Sequence, residues 1–220
     1  MRQTTNFSFE QYKIFQFQIA QGMLNTILVS LVTLIGSMIF GFIFYLMSVS
    51  KNKYFNALTE VFTEITYGTP LLVLIIISAY LIGPAFEVFN VNLMGMIALV
   101  VYMTPYMKNV YKSGISSIPD EQYMAMDLFG FTNFQRYRYI IIPQVIRILM
   151  PPLMNNFSMI IKGSALLYVL AFDELYFVII TAQSKTYAFV QGYVLLWVLY
   201  LTLTIPLSLF TKYIERKWSL

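Results

Sequence analysis

Ile27-Leu28-Val29-Ser30-Leu31-Val32-Thr33-Leu34-Ile35-Gly36-Ser37-Met38-Ile39-Phe40-Gly41-Phe42-Ile43-Phe44-Tyr45-Leu46-Met47 contains no charged side chain, and the uncharged stretch around it reaches from Ile14 to Ser50. A hydrocarbon core about 30 Å thick is crossed by about 20 helical residues. Backbone N–H and C=O groups in that core must be satisfied within the segment, so such a run is a helix. This stretch sets the class of the chain: an all-α integral membrane protein.

Reading outward, the same test finds more windows. No charge falls between Glu64 and Glu87, between Glu87 and Lys108, or between Lys185 and Lys212, and only Lys162 interrupts Arg147 to Asp173. The apolar density predicts five transmembrane helices, near 23–49, 62–83, 91–112, 148–172 and 188–211. They form a single transmembrane domain over 23–212, with a cytoplasmic loop over 113–147 and a tail over 213–220. An odd number of spans puts the termini on opposite sides. With the N-terminus outside, ten Lys and Arg lie inside against three outside, so the C-terminus is expected in the cytoplasm. The protein is then a multi-pass protein of the bacterial cytoplasmic membrane. Residues 1–22 carry Phe7, Phe9, Tyr12, Phe15 and Phe17 among polar neighbours, a pattern for an extracytoplasmic segment lying in the interface with membrane lipid.

Composition agrees across all 220 residues. Apolar residues make up 59%, charged residues 11%, and the net charge is +4, with a mean hydropathy of +0.70. A soluble domain carries about 25% charged residues. The small basic excess therefore reports topology, and a nucleic-acid partner is excluded for want of a basic face. There is no Cys and no His, which removes thiol nucleophiles, the usual zinc ligands and the commonest general base. No metal site and no catalytic residue is expected.

The loop over 113–147 carries the remaining information. Pro119 can open a helix, Asp120 and Glu121 suit its positive end, and Gly130 can supply a left-handed stop. Between them a helix of about three turns is predicted, with Met124, Leu128 and Phe131 on one stripe and Tyr123, Met126 and Phe129 nearby. It can lie on the membrane, pack under the bundle, or fill a groove on another protein. Further on come Gln135, Pro143-Gln144, Arg147, Pro151-Pro152-Leu153 and Asn155. Prolines so closely spaced should bend the fourth span at its mouth.

Gln122, Ala125, Gly130, Gln135, Pro143, Gln144, Arg147, Pro151, Pro152, Leu153 and Asn155 together resemble the inner-loop signature of ABC importer permease subunits of the polar amino-acid uptake family. Glu64-Ile65-Thr66-Tyr67-Gly68-Thr69-Pro70-Leu71-Leu72 is similar to the acid-x-x-Arg-Gly-Thr-Pro-Leu-Leu of that family, and Lys162-Gly163-Ser164-x-Leu166 to its Lys-x-Thr-Ser-Leu. The resemblance covers roughly residues 54 to 170. It implies a type I importer permease core with a short cytoplasmic coupling helix over 119–129. That helix would meet the ATPase through Glu121, Gln122, Met124, Ala125, Met126, Leu128, Phe129 and Gly130.

The resemblance further implies import of a polar amino acid, or a close analogue, by alternating access. This chain is then no enzyme. It has no phosphate-binding loop, so it binds no cofactor itself, and ATP with magnesium belongs to a separate dimer of ATP-binding subunits. An extracytoplasmic solute-binding protein would dock near residues 84–90 and 173–186. Several positions depart from the family pattern. Tyr67 replaces its Arg, Asn109 and Lys112 stand for its acid and base, Met124 for its loop glutamate, and Glu121 for a glycine. A permease short of charged anchors fits one half of a heterodimer, although pairing with a second copy of itself stays open.

Groups that could line the path are Glu64, Gly68, Thr69, Asn155, Asn156 and Lys162. Ionisable side chains at membrane depth are costly and default to function. Glu64 and Lys162 are equally readable as a structural ion pair. Asn155 is expected to bond backbone freed by the prolines, and Asn156 to offer a neutral amide to the solute. An ion-gradient-driven secondary transporter is the alternative reading. It usually shows two similar halves with broken helices, and only one broken region is evident here. Asp173-Glu174 reads as a solvated acidic pair at a helix end.

Overall fold

Every regular element among the described residues is helical. The computed structural model describes residues 8–218, so Phe7 of the expected interfacial segment lies outside it. A 3-10 turn over Glu10–Phe15 runs directly into α1, Gln16–Ser48. The stretch from Glu10 is thus helical rather than a separate arm, and Tyr12 is buried in it, donating its hydroxyl proton to Ala188 O at 2.8 Å.

The predicted second span does not form one helix. α2 covers Lys53–Gly68 and α3 covers Leu71–Ile77, continuing as a π turn over Ser78–Ile82 and a short α4, Gly83–Ala85. The break lies at Thr69 and Pro70, both extended (ψ 122° and 135°). Pro70 has no N–H to donate, and its ring drives the preceding residue out of the helical region.

α5 is Val91–Ser116, α6 is Asp120–Leu128 and α7 is Asn133–Gln135. A π turn over Arg136–Ile141 leads into α8, Ile142–Ser164, which runs on as a 3-10 turn over Ala165–Leu170. α8 runs without a break through Pro151 and Pro152, where a bend was expected. Their missing N–H groups leave the carbonyls of Arg147 and Ile148 without helical donors, a local cost that the helix absorbs. α9, Leu175–Thr186, fills a stretch read above as an outer loop, and α10 is Phe189–Trp218. Among the described residues, three helical stretches are long and apolar enough to cross a membrane: Glu10–Ser48, Asn133–Leu170 and Phe189–Trp218. The broken α2–α3 pair makes a fourth if it counts as one crossing.

Contacts divide the chain into two units, one of Met1–Thr33, Pro70–Leu99 and Met159–Pro206, the other of Leu34–Thr69, Val100–Ser158 and Leu207–Leu220. Among the described residues of the first, apolar side chains cluster in at least two places. One gathers Val29, Ile75, Ala79, Met94, Leu99, Leu167 and Leu170, and the other Tyr12, Ile19, Leu175, Ile179, Ala182 and Leu196. Gly95 permits the first: a Cβ there would come within 2.6 Å of Leu170 and 2.9 Å of Leu167. In the second unit Gly41 plays the same part on α1, where a Cβ would sit 3.0 Å from Lys108 N on α5.

The Asp173-Glu174 expectation needs correction. Asp173 is exposed, but Glu174 is fully buried and caps α9. It accepts from Phe177 N at 2.8 Å, Tyr176 N at 2.9 Å and the Tyr200 hydroxyl at 3.0 Å. α1 completes the clamp: Leu175 N donates to Thr26 Oγ1 at 3.1 Å and Asn25 Nδ2 to Asp173 O at 2.7 Å. Burial pushes the Glu174 carboxyl up to about 7, and the donor set only partly offsets that desolvation.

Candidate functional site

α6 is a short helix set off from its neighbours by Pro119 and Gly130. Pro119 is its N-cap rather than its first helical residue, and Asp120 and Glu121 occupy the first turn. At the other end Gly130 is left-handed (φ +69°). Gly130 N donates to Asp127 O and Phe131 N to Met126 O, both at 3.0 Å. This double bond pattern is a Schellman stop, which glycine makes without steric cost. Arg136 then ties the following loop down: it pairs with Asp127 and donates from Nε to Phe131 O at 2.9 Å. Thr132 and Gln135 close a capping box on α7.

Along α6 the apolar side chains divide. Met126 is buried against the chain's own fold, whereas Leu128 is 88% exposed, Phe129 81% and Met124 57%. Glu121 and Gly130 are exposed, and Gln122 and Ala125 are half-buried. Met124, Leu128 and Phe129 thus leave apolar side chains open on one short helix. Burial of Met126 gives the opposite face its anchor.

The path candidates are less uniform. Glu64 and Lys162 are exposed. The ion pairs among the described residues are Glu10–Lys13 and Asp127–Arg136, and neither includes Glu64 or Lys162. Asn155 is exposed and makes none of the hydrogen bonds among the described residues; the backbone bond expected of it is absent. Asn156 is only 8% exposed and turns its Nδ2 to Met107 Sδ at 3.7 Å. Thr69 Oγ1 is spent on Ile65 O at 2.7 Å, and Gly68 has open space around it.

Three features escaped the sequence reading. Lys108, assigned above to the inner side as a topological charge, is buried and donates to Thr63 Oγ1 at 2.6 Å. Thr63 sits one helical turn from Thr59 and from Thr66, and all three are buried on α2; that spacing was the available signal. Second, Tyr67 and Asn109 meet, with Asn109 Nδ2 donating to the Tyr67 hydroxyl at 2.7 Å. Third, a groove of about 140 Å³ runs along α9, lined by Phe15, Asp173, Phe177 and Lys185 among others. Lys185 Nζ lies 5.9 Å from the Phe15 ring centre.

Comparison with known proteins places these features. The family profile described as binding-protein-dependent transport system inner membrane component matches residues 37–220. The probable glutamine ABC transporter permease protein GlnM of Bacillus subtilis (strain 168) is 30% identical over 196 residues, covering 89% of this chain and 91% of that protein. The putative glutamine transport system permease protein GlnP of Rickettsia conorii is 28% identical over 205 residues, covering 91% and 93%. Among solved structures, an amino acid ABC transporter crystallised with histidines superposes with a TM-score of 0.83 at 25% identity, covering 96% and 98% of the two chains. The MetNI methionine ABC transporter, in an inward-facing conformation, shares the fold with a TM-score of 0.71 at 15% identity, over 92% and 97%.

Proposed function

The chain belongs to the binding-protein-dependent transport system inner membrane components, and from that membership we propose what it carries and how it is driven. It is a permease subunit of an ATP-driven ABC importer and not an enzyme; hydrolysis takes place on a separate ATPase. The solute is a polar amino acid, and the names of the relatives make glutamine the first candidate.

The coupling element is α6. Its exposed Leu128 and Phe129, on a helix opened by Pro119 and closed by the Gly130 stop, carry this reading. In their cleft on an ATP-binding subunit these side chains would be withdrawn from water, and the Schellman stop lets the helix move as one body. Glu121, Gln122, Met124, Ala125 and Gly130 complete the contact, while Met126 transmits it inward. ATP and magnesium are held by the ATP-binding subunit dimer. A second permease, identical or paralogous, supplies the other half of the path, and an extracytoplasmic binding protein delivers the solute to the surface around α9, with its acidic and basic groove. Five crossings, with the C-terminus in the cytoplasm beside α6, fit this machinery. Glu64, Gly68, Thr69, Asn155, Asn156 and Lys162 border the path, Glu64, Asn155 and Lys162 by their exposure.

The test is reconstitution. The permease with its ATPase and binding protein in liposomes should import radiolabelled amino acid only with ATP, and vanadate should stop it. Uptake that follows an imposed ion gradient without ATP would overturn the assignment in favour of a secondary transporter. Purification of the permease–ATPase complex without any second permease, followed by normal uptake, would exclude the heterodimer.

A further inference from the structure

Three tyrosines and one carboxylate line up on the second unit. Tyr102, Tyr106 and Asn109 recur at helical spacing on α5 and share one face. Tyr67 comes from α2, its ring centre 4.9 Å from that of Tyr106 in an edge-on arrangement. Tyr106 and Tyr102 are 5.6 Å apart, with their hydroxyls at 3.4 Å. Glu64 precedes Tyr67 by three residues and so lies on the same side of α2.

Apolar packing alone would not call for the hydroxyls, which are paired as Asn109 to Tyr67 and Tyr106 to Tyr102. Phenylalanine would fill the same space, and a hydroxyl taken into an apolar layer costs free energy unless it is bonded. Glu64 sharpens the point. It is exposed and has no ionic partner among the described residues, about 16 Å along α2 from Lys53 at 1.5 Å per residue. Hydrocarbon cannot cover a free carboxylate, so this face borders water or a polar solute. Tyr67 is 42% exposed on it. Lys108 is near enough to act on Glu64 through its charge, but its ammonium is buried on Thr63 and forms no ion pair with the carboxylate among the described residues.

Ring faces beside a carboxylate are the complement of an organic cation. We propose that Glu64, Tyr67, Tyr102 and Tyr106 form the subsite that holds the ammonium group of the transported solute. The rings provide cation–π attraction to an ammonium passing over them, and Glu64 the counter-charge. Asn109, by bonding the Tyr67 hydroxyl, fixes the ring and is a positioning residue. The subsite rests on the amino-acid permease reading and specifies which part of the solute this chain recognises.

The experiment uses the purified permease–ATPase complex and two probes, L-glutamine and glutaramate, its analogue without the amino group. Wild type should bind L-glutamine at least tenfold more tightly, the scale expected of a cation–π contact with a counter-charge. Tyr106→Leu and Glu64→Gln should each remove most of that preference while glutaramate binding stays the same, and Tyr106→Phe should restore it, because the ring remains. Co-elution of each variant with the ATPase checks assembly. Equal binding of both probes by wild type, or an intact preference in Tyr106→Leu, would overturn the subsite. ATP-dependent uptake of a labelled mixture of the twenty amino acids, by the wild-type complex in liposomes supplied with its binding protein, separates the two ideas. Import without the ammonium preference refutes the subsite alone, and absence of import refutes the permease reading and the subsite with it.

Discussion

Tyr67 and Asn109 form one hydrogen bond, 2.7 Å from amide to hydroxyl, at the two positions where the resemblance to polar amino-acid permeases implies an arginine and an acid. A neutral pair occupies the place of a charged one. Its geometry links α2 to α5 without a formal charge on either side.

Reintroducing one charge should therefore harm and reintroducing both should repair. Tyr67→Arg alone leaves a guanidinium facing an amide and should lower stability by about 1–3 kcal/mol. The double variant with Asn109→Glu should recover at least half of that, as a positive coupling in a double-mutant cycle of thermal unfolding in detergent. Additive effects would show that the two side chains do not depend on each other.

Glu174 predicts a pH dependence of fixed sign. Its folded value of about 7 lies above the ordinary carboxylate value of 4.5. Between those pH values the folded chain holds a proton that the unfolded chain releases, so stability falls as pH rises from 4.5 through 7. The contribution lost is on the order of 3 kcal/mol. Thermal unfolding between pH 5 and 8 should show the decline, and Glu174→Gln should flatten it. An unchanged slope in that variant would place the titration elsewhere.

Removing the exposed apolar groups of α6 should uncouple rather than unfold. Leu128→Ser with Phe129→Ser changes side chains 88% and 81% exposed, so the melting temperature should move little. Transport should fall at least tenfold, and the permease should no longer co-purify with its ATPase. Gly130→Ala instead attacks the stop itself. Nothing crowds the position, but φ is +69°, so the strain is all backbone, about 1–2 kcal/mol. Calorimetry of that variant should show a loss of this size.

Lys108→Met keeps the volume and removes a buried ammonium that has a single hydroxyl partner, Thr63. An ammonium so placed carries a desolvation cost that one neutral hydrogen bond does not repay. The variant should match or exceed the wild type in thermal stability; a loss above about 2 kcal/mol would mean that Lys108 binds α2 to α5.

Much of the architecture was legible because charge is scarce. The gaps between Lys13 and Lys51 and between Lys185 and Lys212 marked α1 and α10, and Pro119 and Gly130 bracketed α6. Local chemistry also misled. Pro70 breaks the second window, while Pro151 and Pro152 leave α8 continuous, since helix packing decides whether a lost N–H is tolerated. The burial of Glu174 depends on Thr26 and Tyr200, distant in sequence, and that of Lys108 on Thr63 across two helices. No window of neighbouring residues contains such information. The tyrosine face escaped for the same reason: Tyr67 joins Tyr106 only in three dimensions.

Arg136 has one further consequence. Its guanidinium grips Asp127 inside α6 and the Phe131 carbonyl beyond it, so the loop between α6 and α7 has no slack to pay out. If α6 is the proposed lever, a displacement applied at Leu128 should reach the turn that leads into α8 through this tie, as through a taut tether. Cutting that knot with Arg136→Ala would leave every helix in place and turn a stiff linkage into a loose one.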